Sequence, residues 1–423
     1  MVQIENLIEK TPSFKQITAD LQPKNHQLIT GISGSARTEL LSALSKEGQR
    51  PILVVTDTIS HMQELASDLE NLLPANRVYQ FPVEEVLAAE VATSSPNYRL
   101  QRVLALNALI NKEPAVVVAS AAGLRRNIIS PEYFAQSSLK IKTGGEVDPA
   151  KIRQQLSAMG YQYQKMVLRP GDFAIRGSII DIYALNTDNP VRIDLFDTEV
   201  DSLRYFDAST QRSIDNVEEV QILPATDFII PSTEFSRVYE ALDNEYKKVE
   251  KELSADDADI KQQVANRFEP LLNALKNQHL PNELLEFSNL VYPAKHSLFD
   301  YLPDDGTIYF DDLTRIKQFA KQMTQEDAGW FKDKVAHHQL TDVPDLSNDV
   351  SAIIKKDPHP QIYGALFKKG LGNIKLSQIT DLKSRTMQRF FGQMPLLKAE
   401  LKRWIDQGQT VVLMANNPER RKQ

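Results

Sequence analysis

The sequence predicts an α/β multidomain protein. Three observations carry that reading: a length of 423 residues, a β-α-β-α alternation from His26 to about Leu124, and a change to strand-rich, turn-punctuated texture after Ser138. At about 150 residues per domain, such a length asks for about three cores. Apolar residues make up 42% of the chain and charged residues 25%, enough to fill those cores and too much to leave the chain disordered.

The first elements are short apolar runs between helical patterns: HQLITGIS, ARTELLSALSKE, PILVVTD, TISHMQELASDLENLL, RVYQF, a long helix around Tyr98 to Asn111, and AVVVAS. Ile52 to Val55 and Val116 to Val118 are apolar at successive positions, which means both faces of each strand are covered, as in a parallel sheet clothed by helices. Residues 1–138 are therefore expected to form a doubly wound parallel-sheet domain with a degenerate P-loop.

Residues 139–224 are expected to form a small α+β domain with an antiparallel sheet. LKIKTGGEV reads as a strand and a Gly144-Gly145 turn; DPAKIRQQLSAMGY reads as a helix with Asp148 as N-cap and Pro149 at its first position. The strands DFAIRGSIIDIYAL, VRIDLFDTEVDSLRYFD and EEVQILPATDF follow, broken by turn signals at Pro170-Gly171 and Asn186 to Pro190. Residues 225–378 read as a helical segment whose acidic and basic side chains support one another on a solvated face, then a strand at Thr307 to Phe310 that returns to the first domain's sheet. The polar, patternless stretch from His337 to about Lys375 reads as a linker or an extended surface loop. Over 379–423 a helix, Met394 to Gln407, and a buried strand, Thr410 to Ala415, open a further α/β domain that stops in mid-unit. The sequence is thus expected to be a piece of a longer protein.

Composition excludes several functions. The 49 basic residues fall short of the 56 acidic ones, a net charge of −7, so any contact with nucleic acid must be local. With no cysteine there is no disulfide, thiolate metal site or thiol nucleophile. No stretch reaches the ~18 apolar residues of a membrane span, and a cytoplasmic protein with no membrane partner is expected.

The sharpest motif is Gly31-Ile-Ser-Gly34-Ser-Ala36-Arg37-Thr38, between a strand and a helix, where a phosphate-binding P-loop would lie. The second glycine of that motif is here Ala36 and its lysine is Arg37; a methyl group at a tight backbone position and a planar fork in place of an ammonium are not conservative changes. The matching magnesium motif would be Thr307 to Phe310 followed by Asp311-Asp312, with the second acid shortened from glutamate. Asp311 and Asp312 could instead cap the helix that follows. Together these half-motifs predict a nucleotide-binding scaffold without its chemistry: no catalytic residue, no metal and no cofactor. Adjacent His337 and His338 diverge on any regular element and make no metal site. Arg176 and Arg192 lie on strands beside Phe196; either they form an interface with an exposed aromatic, or the arginines pair with a nearby Asp while Phe196 enters the core. Basic strips at Arg125-Arg126 and Lys368-Lys369-Gly370 are candidates for holding phosphates.

RPGDFAIRGSIIDIYAL, followed by VRIDLFDTEVDSLRYFDASTQRSI, resembles the signature shared by the excinuclease protein UvrB and the bacterial transcription-repair coupling factors. The resemblance runs from about residue 10 to 423, through the eroded P-loop, KHSLFDYLPDD and SRTMQRFFGQMPLLKAELKRW. It favours the coupling factors, because UvrB would keep a lysine P-loop, a glutamate after Asp311 and an aromatic-rich hairpin that does not occur between Phe81 and Ser120. The resemblance implies an amino-terminal, non-catalytic adaptor that binds the excinuclease protein UvrA, with the family's contacts falling on Arg176, Arg192 and Phe196. It further implies that ATP, magnesium, RNA polymerase and duplex DNA are engaged by regions beyond residue 423, where a superfamily 2 translocase motor would displace polymerase stalled at lesions. The alternative is an active, ATP-binding protein like UvrB that binds damaged DNA.

Overall fold

A computed structural model describes residues 8–93, 95–254, 257–368, 371–384, 390 and 392–411. Its largest element is a seven-stranded, all-parallel sheet in the order β15-β1-β14-β13-β2-β4-β3. The strands are β1 (His26–Thr30), β2 (Ile52–Thr56), β3 (Val78–Phe81), β4 (Val116–Ser120), β13 (Thr307–Asp311), β14 (Gln361–Gly364) and β15 (Gln378–Asp381). β2 and β4 are buried at every position, as their unbroken apolar runs require. Leu53, Val55, Val117 and Phe310 point into one core; Ile52, Val54, Val116 and Tyr309 point into the other. The first core is closed by the Pro96–Ile110 helix and the helical segment from Phe235 onward, the second by the Ser35–Lys46 and Ile59–Glu70 helices.

The remaining strands lie between Leu139 and Ile222. A second sheet has the order β11-β10-β9-β8-β7-β6, made of β6 (Gln162–Tyr163), β7 (Asp172–Arg176), β8 (Ile179–Ile182), β9 (Val191–Phe196), β10 (Glu199–Phe206) and β11 (Ser213–Val217). All its pairs are antiparallel except β6 with β7. Its inner face packs Phe173, Ile180, Ile182 and Ile193 on Ile152 and Leu156 of the Pro149–Ala158 helix, which Asp148 caps through the Ala150 and Lys151 amides. β5 (Leu139–Lys142) and β12 (Glu219–Ile222) pair with each other, so the unit leaves and rejoins the rest of the chain through one two-stranded ribbon.

Two expectations are corrected. The stretch from His337 to Lys375 is not a plain linker: it contains the Val350–Lys356 helix and β14, which is buried throughout and lies between β1 and β13. β14 hides in the sequence because QIYG offers only two apolar side chains and follows Pro358 and Pro360, which read as turn signals. Further along, the boundary expected at 378/379 cuts into β15, an edge strand of the large sheet paired with β1. The Met394–Asp406 helix forms as expected, with no buried residue. Thr410 and Val411 are not in a strand, and the rest of the expected strand to Ala415 lies outside the described residues.

Candidate functional site

The P-loop-like segment lies at the carboxyl ends of the parallel strands, where α/β sheets place their ligands. Gly31 has φ of +63° and Gly34, at the N-cap of the Ser35–Lys46 helix, +56°, conformations that favour glycine. A methyl group at Gly31 would stand 2.5 Å from the Asp381 carboxylate and 2.9 Å from the Lys383 amide, so this glycine admits the chain that follows β15. Ser384 closes the contact by donating its backbone N–H to the Gly31 carbonyl at 2.8 Å.

Ala36, Arg37 and Thr38 occupy the first turn of that helix. The Arg37 guanidinium donates to Asp311 Oδ2 at 2.5 Å, with both side chains mostly buried. His61 joins them, its Nε2 lying 3.1 Å from Arg37 Nη1 and 3.4 Å from Asp311 Oδ2, while its Nδ1 meets Asp57 Oδ1 at 2.9 Å. Arg315 closes on the far side of Asp57 at 2.9 Å. The hydrogen bond to Asp57 raises the His61 pKa above 6.5 against the opposing effect of burial, and the same bond lowers that of Asp57. Burial pushes the Asp311 carboxyl up, and the Arg37 and His61 charges offset this only in part. The Thr38 hydroxyl is buried and has no hydrogen-bond partner among the described residues.

The two acids at the end of β13 have therefore separated in role. Asp312, at φ of +59°, caps the Leu313–Ala336 helix through the Arg315 amide, as the capping alternative expected. Asp311 does not cap; it neutralises Arg37. Sequence reasoning placed Arg37 and Asp311 at the end of one sheet but missed Asp57, just before the Thr58 N-cap, and His61, in the first turn of the Ile59–Glu70 helix.

The basic strip Arg125-Arg126 is not a phosphate-holding surface. Arg125 Nη2 pairs with Asp327 at 2.7 Å, and Arg126 lies in a buried ring with Arg102, Glu90 and Asp227. Lys368 is exposed, and Lys369-Gly370 lies outside the described residues.

On the second sheet, strand alternation puts Arg176, Asp181, Arg192, Asp194, Phe196 and Arg204 on the outward face. Asp181 is the hub. Only 1% exposed, it receives Arg192 Nε at 2.6 Å and Nη2 at 2.9 Å, and Arg176 from the other side. Arg192 also stacks 4.4 Å over the Phe206 ring and donates to Gln211 at 3.2 Å. One strand further, Arg204 pairs with Asp194 at 2.6 Å. The two alternatives for this surface are each half realised: both arginines pair with an aspartate, yet Phe196 stays out of the core at 77% exposure. Asp181 was the missed residue, and its signal was a lone acid inside IIDI. The result is a face on which two guanidinium groups are held by one buried carboxylate and a bare aromatic ring stands further along the same strand as Arg192, an arrangement suited to docking a protein.

Residues 139–228, the ribbon and the whole second sheet, match the model of the UvrB interaction domain. The chain thus carries a protein-interaction domain of the UvrB type on a parallel α/β body. Along nearly its whole length it is similar to transcription-repair-coupling factors: 34% identical to that of Bacillus subtilis (strain 168) over 99% of this chain and 36% of that protein. It is 26% identical to the factor of Staphylococcus aureus (strain USA300), over 98% of this chain and 35% of that one, and 27% identical to that of Staphylococcus haemolyticus, over 97% and 35%. The chain spans about a third of the length of these relatives. Among the described residues no helix is long and apolar enough to cross a membrane.

Proposed function

We propose that this chain is the recruiting part of a transcription-repair coupling factor, an adaptor that docks the excinuclease protein UvrA through the outward face of the sheet at 172–206. Arg176, Arg192 and Phe196 make the contact, within an interaction unit spanning 139–224. The observation that carries the reading is the bare Phe196 ring on the same sheet face as two arginines already held in place by Asp181. Pre-fixed guanidinium groups lose little freedom on binding, and an exposed aromatic brings the apolar area that central contacts need.

The loop at 31–38 acts as architecture in this proposal, with no ATP or magnesium held there. The residues do not fit a metal-triphosphate: Arg37 is spent on Asp311, the acid a magnesium ion would need, and Gly31 is pressed by Asp381 and Lys383. In such a factor, engagement of RNA polymerase and duplex DNA and the ATP-driven motor belong to segments outside this chain, in the cytoplasm.

The test is a titration of the chain with purified UvrA. Arg192→Ala or Phe196→Ala should each weaken the complex by about 2 kcal/mol or more, and unchanged affinity in both would remove the assigned contacts. Calorimetry with Mg-ATP should show at most millimolar binding and no turnover; tight binding with hydrolysis would favour the ATP-binding, UvrB-like alternative.

A further inference from the structure

A cavity of about 490 Å³, sharing no lining residue with either site above, opens between the Ala258–Lys276 helix, the turn at Asn282–Phe287 and the end of the Leu313–Ala336 helix. Its charged wall is Arg267, Lys334 and Glu286. Glu286 takes Arg267 Nη2 on one oxygen and Lys334 Nζ on both, at 3.0 and 3.2 Å. Two cations therefore share one carboxylate. All three side chains are less than a fifth exposed, so the wall holds one uncompensated positive charge in a chain whose net charge is −7. Glu283 and His337 also line the cavity; both are exposed, and His337 Nδ1 lies 2.8 Å from the Asp333 carbonyl oxygen.

Donors are also in excess. An arginine and a lysine together bring eight N–H groups. Their hydrogen-bond acceptors among the described residues are the two Glu286 oxygens and Gln339 Oε1, which takes Arg267 Nη1 at 2.9 Å, while the Lys334 ammonium also lies 4.4 Å over the Trp330 ring. Next to the charges, Pro270 and Leu271, one turn along the helix from Arg267, and Phe287 give the cavity an apolar part, and the Arg267 guanidinium lies 5.4 Å from the Phe287 ring centre. Burial holds the pKa of both cations below their ordinary values, and at Lys334 the neighbouring Arg267 charge adds to the effect. A bound anion would relieve that strain.

We propose that this cavity is a binding site for a small carboxylate with an apolar body, its carboxylate bridging Arg267 and Lys334 and its body lying on Pro270, Leu271 and Phe287. The volume falls within the range of small-molecule sites, and few but buried charged groups in an apolar wall are what orient a ligand in such sites. The inference is independent of the proposed docking face, whose residues at 172–206 do not line the cavity.

The probe is 4-fluorobenzoate, followed by ¹⁹F NMR on the intact chain, with thermal melting to verify that each variant is folded. Saturable binding is expected. Lys334→Met keeps the neutral Arg267–Glu286 pair while removing the excess charge, and should weaken binding about tenfold. Glu286→Gln frees both cations and should tighten it. Absence of saturable binding, equal affinity in parent and Lys334→Met, or weakening by Glu286→Gln would each overturn the site. Displacement by inorganic phosphate as effective as by unlabelled benzoate would overturn the ligand class.

Discussion

Replacing Asp227 by asparagine tests how the interaction unit is fixed to the α/β body. Asp227 stands just after the β5–β12 ribbon and is 1% exposed. Arg102 reaches Glu90 at 3.1 Å and Asp227 at 2.9 Å; Arg126 reaches Glu90 at 3.0 Å and Asp227 at 3.1 Å. Each cation thus touches both acids, and the ring is neutral. Burial alone would push the Asp227 carboxyl up, but Arg102 and Arg126 outweigh it and hold the pKa below the ordinary value. Asp227→Asn keeps the shape and leaves one buried positive charge unmatched, a change that costs about 3–5 kcal/mol. Against a typical total of about 5–15 kcal/mol this is a large share, and urea unfolding followed by circular dichroism resolves it. Adding Arg126→Met restores neutrality around the Arg102–Glu90 pair, so the double variant should lose less than the sum of the singles by about 1 kcal/mol or more. A single-variant loss under about 1 kcal/mol, or strict additivity, would refute the ring as the fastening.

Three further outcomes follow from the geometry. Arg37→Met leaves Asp311 buried without its arginine and should cost about 1–3 kcal/mol in urea unfolding; parent-like stability would show that the pair is idle. His61 has a folded pKa above its unfolded value of 6.5, so its contribution is complete below that value and fades as pH rises through the folded pKa. The melting temperature should fall over that interval, and the fall should be shallower in His61→Gln; identical profiles would dismiss the linkage. Phe196→Ala removes a ring that is 77% exposed and should leave stability within about 0.5 kcal/mol of the parent by the same urea assay, so a large loss would mean that the ring holds the fold together.

Much of the fold was legible because burial leaves a pattern in the residues. Ile52 to Val55 and Val116 to Val118 announce strands covered on both faces, and Asp148-Pro149 marks a helix start that the structure reproduces, cap and all. β14 was illegible because its burial comes from its neighbours: two apolar residues suffice for a central strand when β1 and β13 supply the rest of the sheet. At the candidate site, period-two alternation brought Arg192 and Phe196 to one face, whereas their hub Asp181 sits across a strand pairing that no local pattern encodes. Arg37 stands out in the sequence as an eroded motif position and Asp311 as the retained first acid of the other; that they satisfy each other is a fact of tertiary geometry alone.

The placement of β1 has a consequence for how the molecule is made. Among the described residues its neighbours are β14 and β15, at residues 361–364 and 378–381, while the strands between Leu139 and Ile222 pair only with one another. At bacterial and eukaryotic elongation rates, β1 must wait on the order of 20–60 s for a neighbour to leave the ribosome. The unit between Leu139 and Ile222 can therefore close while the body that carries it is still incomplete, and the strand leading into the P-loop-like segment remains an open edge until β14 and β15 have been made.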